Sequence, residues 1–230
     1  MRIEIWSDVV CPWCYVGKRH LEQALEQFAH RDSVEIAWKA FELDPNAPPE
    51  RSGSYPERIA RKYGISQGQA QASIARIVNA GAEAGIDFRF NHLRAGNTFD
   101  AHRLLHFAAS LGVQNDLKER LLFATFTEGH PIGDRETLIK LAADAGIAEA
   151  DARRVVESDE FSREVREEER DAMELGATGV PFFVFNGRFG VSGAQPPETF
   201  LHLLERAWSE ANPIEVIGTG ATCEGDACDL

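Results

Sequence analysis

Hydrophobic and polar positions divide the chain into three stretches. Residues 2–7 alternate, with Ile3 and Ile5 on one face, which predicts a strand. From Cys11 to about Ala29 the pattern turns helical, with Val16, Leu21, Leu25 and Phe28 recurring at helical spacing. Pro12 suits the first helical turn, where its missing N–H is not needed. Residues 34–41 alternate again and predict a second strand. The opening is therefore β-α-β, with the helix as the crossover between parallel strands.

Residues 44–57 carry Pro45, Pro48, Pro49, Ser52, Ser54 and Pro56 and read as a linker. Beyond them strand signals vanish for more than a hundred residues. Ile59 and Tyr63, then Ile74, Ile77 and Val78, fit helical spacing. Asn97-Thr98 can cap a helix whose inner face holds Leu104, Leu105, Ala108 and Leu111. Further helices are predicted at 115–127, 134–145 and 149–175, the last with a solvated, highly charged face. The strand signal then returns. Gly176 to Pro181 is a turn, and Phe182-Phe183-Val184-Phe185 a short buried strand. Asn186-Gly187 signals a two-residue hairpin turn, with Arg188 to Ser192 as the other arm. Pro197 to Ala211 predicts a closing helix. The expected division is one α/β domain built from residues 1–45 and 165–211, a helical insertion at 57–164, and a flexible acidic tail at 212–230.

Composition narrows the function. Lys and Arg number 24 and Asp and Glu 37, a net charge of −13, which argues against binding nucleic acid or an anionic membrane. No window approaches 18 consecutive apolar residues, so no membrane-spanning helix is expected. The N-terminus shows no basic segment followed by an apolar one. The expectation is therefore no signal peptide and a cytoplasmic location. His102 and His106 are spaced to share a helix face and could bind a metal. A polar helix face accounts for them better, and no metal site is expected.

Four cysteines are too few for a disulfide scaffold. They resolve into Cys11-Pro12-Trp13-Cys14 and, in the tail, Cys223 and Cys228. A CxxC pair is either half a zinc site, here with the tail pair as the other half, or a redox-active dithiol. The position after a strand and at a helix start favours the dithiol. Free N–H donors and the partial positive charge of the helix N-terminus stabilise a thiolate at Cys11, which should stand at the exposed entrance. Cys14, one turn in, can attack a mixed disulfide formed there. Trp13 either shapes the surface around the dithiol or packs beside it. The tail pair is either idle or a second dithiol; four acidic residues and no Lys or Arg lie in the last nineteen positions, which makes it the slower nucleophile.

The order strand, Cys-Pro-Trp-Cys, helix, strand, helical insertion, Val180-Pro181, hairpin, helix resembles the thioredoxin-fold oxidoreductases of the DsbA superfamily. The run from Trp6 to Lys18, Asn97-Thr98 with Ala101 to Leu104, and Gly179 to Phe182 are similar to its FrnE branch. The resemblance spans about residues 1–210. It implies a thioredoxin fold interrupted by a helical lid, with Cys11 as attacking thiolate and Cys14 as resolving thiol. Pro181 falls at the family's cis-proline, and Val180 before it would offer a backbone edge to an extended substrate. Asn97 and Thr98 would cap a helix near the site and are candidates for substrate contact. Cys223 and Cys228 resemble an accessory pair of some FrnE proteins. The implied partners are protein or peptide disulfides and a thiol reductant, with no bound cofactor; glutathione or another low-molecular-weight thiol would serve from outside.

Two departures temper the chemistry. Strongly oxidising relatives carry His inside the motif, where this chain has Trp13. Thioredoxin-like relatives keep a buried carboxylate where this chain has Ile5, and Glu4 and Asp8 are expected on the opposite strand face. A mild dithiol is expected, acting as an oxidoreductase or isomerase. Two alternatives remain at this level. One is a glutathione-dependent isomerase similar to the 2-hydroxychromene-2-carboxylate isomerases, which typically have Ser in place of Cys11. The other is a non-enzymatic, chaperone-like binding module. Oligomeric state is not readable from the sequence.

Overall fold

The computed structural model describes residues 1–211 and two short strands, Cys223–Glu224 and Ala227–Cys228. The backbone of those strands pairs antiparallel with Cys223 opposite Cys228. The expected tail character and the chemistry of its thiols lie outside the described residues.

The chain opens with β1 (Arg2–Ser7), α1 (Pro12–Gln27) and β2 (Glu35–Ala40). β1 and β2 run parallel, from Arg2 opposite Glu35 to Ser7 opposite Ala40, so α1 is the crossover that parallel pairing requires. The strand run after the insertion becomes β3 (Phe182–Phe185), antiparallel to β1, and β4 (Phe189–Ser192) closes the sheet in the order β2-β1-β3-β4. The hairpin loop takes three residues rather than two. Asn186 and Gly187 both have positive φ and form the turn, closed by the Arg188 N–H on Phe185 O, and Arg188 is the extra residue outside the strand ladder before Phe189 meets Phe185. The final helix α9 (Pro197–Ala211) packs with α1 on one sheet face around Ile3, Ile5, Leu21, Phe28, Phe183, Phe185 and Phe200.

Between β2 and β3 the chain is helical: α2 (Tyr55–Tyr63), α3 (Gln67–Glu83), α4 (Phe99–Ser110), α5 (Gln114–Phe123) running into a π turn at Ala124–Glu128, α6 (Arg135–Asp144), α7 (Glu149–Glu157) and α8 (Ser162–Glu174). The continuous helix expected over 149–175 is broken in two. Phe161 takes φ 62°, and the buried Arg103 guanidinium binds the carbonyls of Val155, Ser158 and Glu160 at the break. These carbonyls trade a helical partner for a charged one. Nor is the face of α8 simply solvated. It covers the second sheet face, where Trp6 Nε1 donates to Glu168 O at 2.8 Å and the Glu168 carboxylate accepts from Ala40 N at 2.7 Å and lies 2.9 Å from Lys39 Nζ.

The insertion is fastened to the linker, to β2 and to α1 by contacts that position the site. The linker crosses Gly96 and Gly133, where an added Cβ would stand 1.8 and 1.9 Å from Pro49 O. β2 is an edge strand, and Gln114 at the start of α5 covers it: its side chain accepts from Trp38 N and donates to Trp38 O, both at 2.9 Å. Tyr15 and Lys18 of α1 reach Glu119 of α5 at 2.7 Å each. Helix α5 is thereby held against both β2 and α1.

Candidate active site

β1 ends at Ser7, the chain turns through Asp8-Val9-Val10, and Cys11 forms the N-cap of α1, with Pro12 at the first helical position. Cys11 and Cys14 therefore lie one turn apart, both as free thiols. Val9 is buried in the insertion core and Val16 in a second cluster with Phe88, Phe90 and Phe126. The insertion thus grips the dithiol turn from both sides. As a result Cys11 is not the open entrance expected; it is 5% exposed, and Cys14 1%. Trp13 between them is the exposed residue of the motif, at 40%.

Val180–Pro181 is a cis peptide bond at the foot of β3. It meets the dithiol directly, since Cys11 Sγ donates to Val180 O at 3.5 Å. Gly17 makes this approach possible: a Cβ there would stand 3.1 Å from Pro181 Cγ and 3.2 Å from Phe183 Cζ. The structure therefore brings together Cys11, Cys14, Pro12, Trp13, Val180 and Pro181. Asn97 is engaged elsewhere. Its Nδ2 donates to Pro45 O at 3.2 Å, its Oδ1 accepts from Phe99 N at 2.9 Å, and its backbone N–H meets Pro48 O. It lines an open cleft of about 730 Å³ whose lining includes neither active-site cysteine. Thr98 is buried at the N-cap of α4 without a side-chain cap bond.

Several groups that the sequence pattern does not place here surround the sulfurs. Ser7 and Asp8 are buried, not surface polar residues beside the motif. Ser7 Oγ lacks an oxygen or nitrogen partner and lies against Cys14. The Asp8 carboxylate accepts from Leu43 N at 2.8 Å and faces His102 Nε2 at 3.4 Å. The expected polar helix face of His102 and His106 is thus corrected: His102 is buried against Asp8, and His106 meets Glu168 at 3.0 Å. Both rings point to carboxylates because α4 packs under the dithiol turn and β2. Among the described residues no group of three His, Cys, Asp or Glu is arranged to hold a metal.

Lys118 of α5 is the other unexpected neighbour. It is fully buried, with Nζ 3.3 Å from Ser7 O and 5.3 Å from the centre of the Trp38 ring. Its sequence signal is faint but present: it interrupts the apolar stripe Leu117, Leu121, Leu122.

The two thiols titrate as one unit. The single Cys11 S–H is shared between Val180 O and the Cys14 sulfur. That bond to Cys14, then burial, then the charges of Cys14 and Asp8, push Cys11 up. Burial pushes Cys14 up as well, but the Cys11 thiol, the Lys118 charge, Ser7 and the Asp8 N–H outweigh it and bring Cys14 down. Burial also pushes Asp8 up, and His102, the Leu43 N–H and Lys118 reverse this and hold it below the usual carboxylate range. Burial pulls Lys118 down to about 8, against the raising effect of Cys14, Asp8 and Cys11. Cys11 is the sulfur that lies against the Val180 carbonyl, and the bond to Cys14 and burial oppose its ionisation there.

A helix-start dithiol packed on a cis-proline strand, on a four-stranded sheet interrupted by helices, defines a thioredoxin-fold oxidoreductase of the DsbA type. The chain matches the DSBA-like thioredoxin domain family over residues 2–205 and belongs to it. A probable DsbA oxidoreductase of Streptomyces coelicolor is 42% identical, with a TM-score of 0.87 over 100% of this chain and 99% of that one. The protein YwbO of Bacillus subtilis is 28% identical over 202 residues, 87% of this chain and 94% of its own length. The cytosolic disulfide reductase DsbM of Pseudomonas aeruginosa, solved with GSH, shares the fold at 17% identity and a TM-score of 0.63, over 90% of this chain and 99% of that one. The FrnE branch is consistent with these matches. No helix among the described residues is long and apolar enough to cross a membrane.

Proposed function

We propose that this protein is a thiol-disulfide oxidoreductase and isomerase acting on protein or peptide disulfides through Cys11 and Cys14. The observation that carries the reading is the Cys11 sulfur against the Val180 carbonyl of the cis Val180–Pro181 bond, with Cys14 one turn behind. A substrate segment lying along the Val180 edge brings its disulfide to Cys11. As Cys11 attacks, its proton passes to the Cys14 thiolate. A Cys11–substrate disulfide forms and one substrate thiolate leaves. Cys14 gives that proton to the departing substrate thiolate, attacks the Cys11 sulfur, closes the Cys11–Cys14 disulfide and releases the second substrate sulfur as a thiolate. A low-molecular-weight thiol such as glutathione restores the dithiol; no bound cofactor enters. If the substrate's own second thiol attacks first, the outcome is isomerisation. Trp13 supplies an exposed apolar surface next to the entering disulfide. The GSH-bound reductase from Pseudomonas and its cytosolic setting support a cytoplasmic reductant-coupled role here.

The test is insulin-disulfide reduction and reactivation of a scrambled protein, coupled to glutathione. Cys11→Ser abolishes both. Cys14→Ser accumulates a mixed disulfide at Cys11. Wild-type turnover in Cys11→Ser overturns the reading.

A further inference from the structure

Arg58 of α2 is a cation without an anion. Its Nη1 donates to Gly53 O at 2.9 Å, and its Nη2 is buried with no hydrogen-bond partner. Burial and the Arg51 charge both disfavour the guanidinium, and no carboxylate among the described residues offsets them. A buried donor left unmade carries its full desolvation cost. The nearby carboxylates are engaged. Asp44 is bound to Arg51, and Glu57 accepts from Ser54 N at 2.9 Å in the capping box of α2. From Arg51 to Tyr63 the sequence carries Arg51, Arg58, Arg61 and Lys62 against Glu57 alone, in a chain of net charge −13. This basic segment stands at the edge of the dithiol. The Arg58 guanidinium lies over the Tyr55 ring, 5.6 Å from its centre. Tyr55 stacks on Phe90 at 4.6 Å, in the cluster that holds Tyr15 and Val16, the two residues after Cys14. Val10, the residue before Cys11, packs against the same cluster. Burial and then the Cys11 charge push the Tyr55 phenol up, in keeping with that proximity. Helix α2 buries none of its residues and lies between Gly53 and Gly64, both with positive φ, so it can shift to admit a ligand.

We propose that Arg58 is a carboxylate receptor beside the dithiol, and that it makes anionic disulfides and thiols the preferred substrates. The proposal rests on the dithiol reading above and deepens it. A substrate sulfur at Cys11 lays its neighbouring groups along the Tyr55 ring, and a carboxylate there meets the unmade N–H groups of Arg58 Nη2. The planar guanidinium fork matches the two oxygens of a carboxylate. Such a bond satisfies a buried donor and pairs a lone cation, so it contributes more than a surface ion pair does. The rest of the chain is acidic and repels anions, so the α2 rim is where one is held. The same chemistry has two sources: a low-molecular-weight thiol peptide such as glutathione, or an Asp or Glu beside a cysteine of a protein substrate.

The experiment oxidises the reduced full-length protein with disulfides of different charge and follows closure of the Cys11–Cys14 pair by thiol trapping. The small series is anionic glutathione disulfide, neutral hydroxyethyl disulfide and cationic cystamine. The peptide series is one disulfide-linked peptide carrying Asp, Asn or Lys next to its cysteine. Each rate constant is divided by that of the neutral member of its series. In Arg58→Gln the anionic-to-neutral ratio falls about tenfold from its wild-type value, the worth of one hydrogen bond to a charged group, and the cationic-to-neutral ratio does not fall. Arg58→Lys keeps the charge without the fork and recovers part of the ratio. A fall in the small series alone supports the proposal with a free thiol as the source of the carboxylate. A fall in the peptide series alone supports it with a protein segment as the source, and a fall in both supports it for either. Unchanged ratios in both series overturn the proposal, as does an equal fall for anionic and cationic members. Failure of the wild-type protein to react with any of these disulfides instead overturns the dithiol reading.

Discussion

At the scale of single residues, the site is a set of buried charges that stabilise one another. Asp8 illustrates the balance. Burial alone would favour its neutral form, and His102, the Leu43 N–H and Lys118 together hold it ionised. Its folded-state pKa lies below the unfolded one. The stabilisation is therefore present above the ordinary carboxylate range and is lost as the pH falls through the folded value. Asp8→Asn should lower unfolding stability by about 1–3 kcal/mol at neutral pH. The gap from wild type should narrow in acid, below about pH 4, the range in which an unshifted Asp titrates. Denaturant titrations at neutral and acid pH measure both. A gap of equal size at the two pH values would remove the charge from the account and leave only shape. Asp8 also raises Cys11, so the same variant should make Cys11 more acidic, read as thiolate absorbance against pH.

At the scale of elements, the insertion is held by buried polar anchors as much as by its apolar core. Arg103 is the clearest. Its guanidinium joins Glu160 O at 2.7 Å, Ser158 O at 2.6 Å and Val155 O, and so closes α7 and opens α8. Arg103→Met should destabilise the protein by about 3 kcal/mol, since several buried carbonyls lose a charged donor. Thermal unfolding measures this. Turnover per folded molecule, assayed well below the transition, should stay near wild type, because Arg103 touches neither sulfur. A large loss of turnover in the folded variant would mean that the α7–α8 corner sets the position of the dithiol turn.

At the scale of the whole molecule, the potential of the couple follows from how far the thiolate of the attacking cysteine is stabilised. A strongly oxidising dithiol stabilises the thiolate of its attacking cysteine, which favours the reduced form. Here burial, the bond to Cys14 and the Asp8 charge oppose a thiolate at Cys11. The molecule should therefore be a mild couple, with a potential below about −200 mV, nearer the glutathione pool than the DsbA extreme. Equilibration of the protein with glutathione mixtures, followed by thiol trapping, gives that potential directly. A value close to about −120 mV would show that the helix N-terminus outweighs these groups.

Much of this was legible in the sequence because it is encoded locally. Alternation in residues 2–7 and 34–41, the helical run after Cys11 and the Phe182–Phe185 strand each depend on neighbours within a few positions, and each element is present. The CxxC spacing likewise places two sulfurs on one helical turn without help from the rest of the chain. The surroundings of those sulfurs are different in kind. Burial of Cys11, the meeting of Asp8 with His102 and of Ser7 with Lys118, and the break between α7 and α8 depend on how the insertion lies on the sheet. Ser7 and Lys118 are 111 residues apart, and no local periodicity relates them. The sequence by itself determined the elements and the dithiol. Only the tertiary structure decided which charges lose their water together, and that loss sets the acidity of each sulfur.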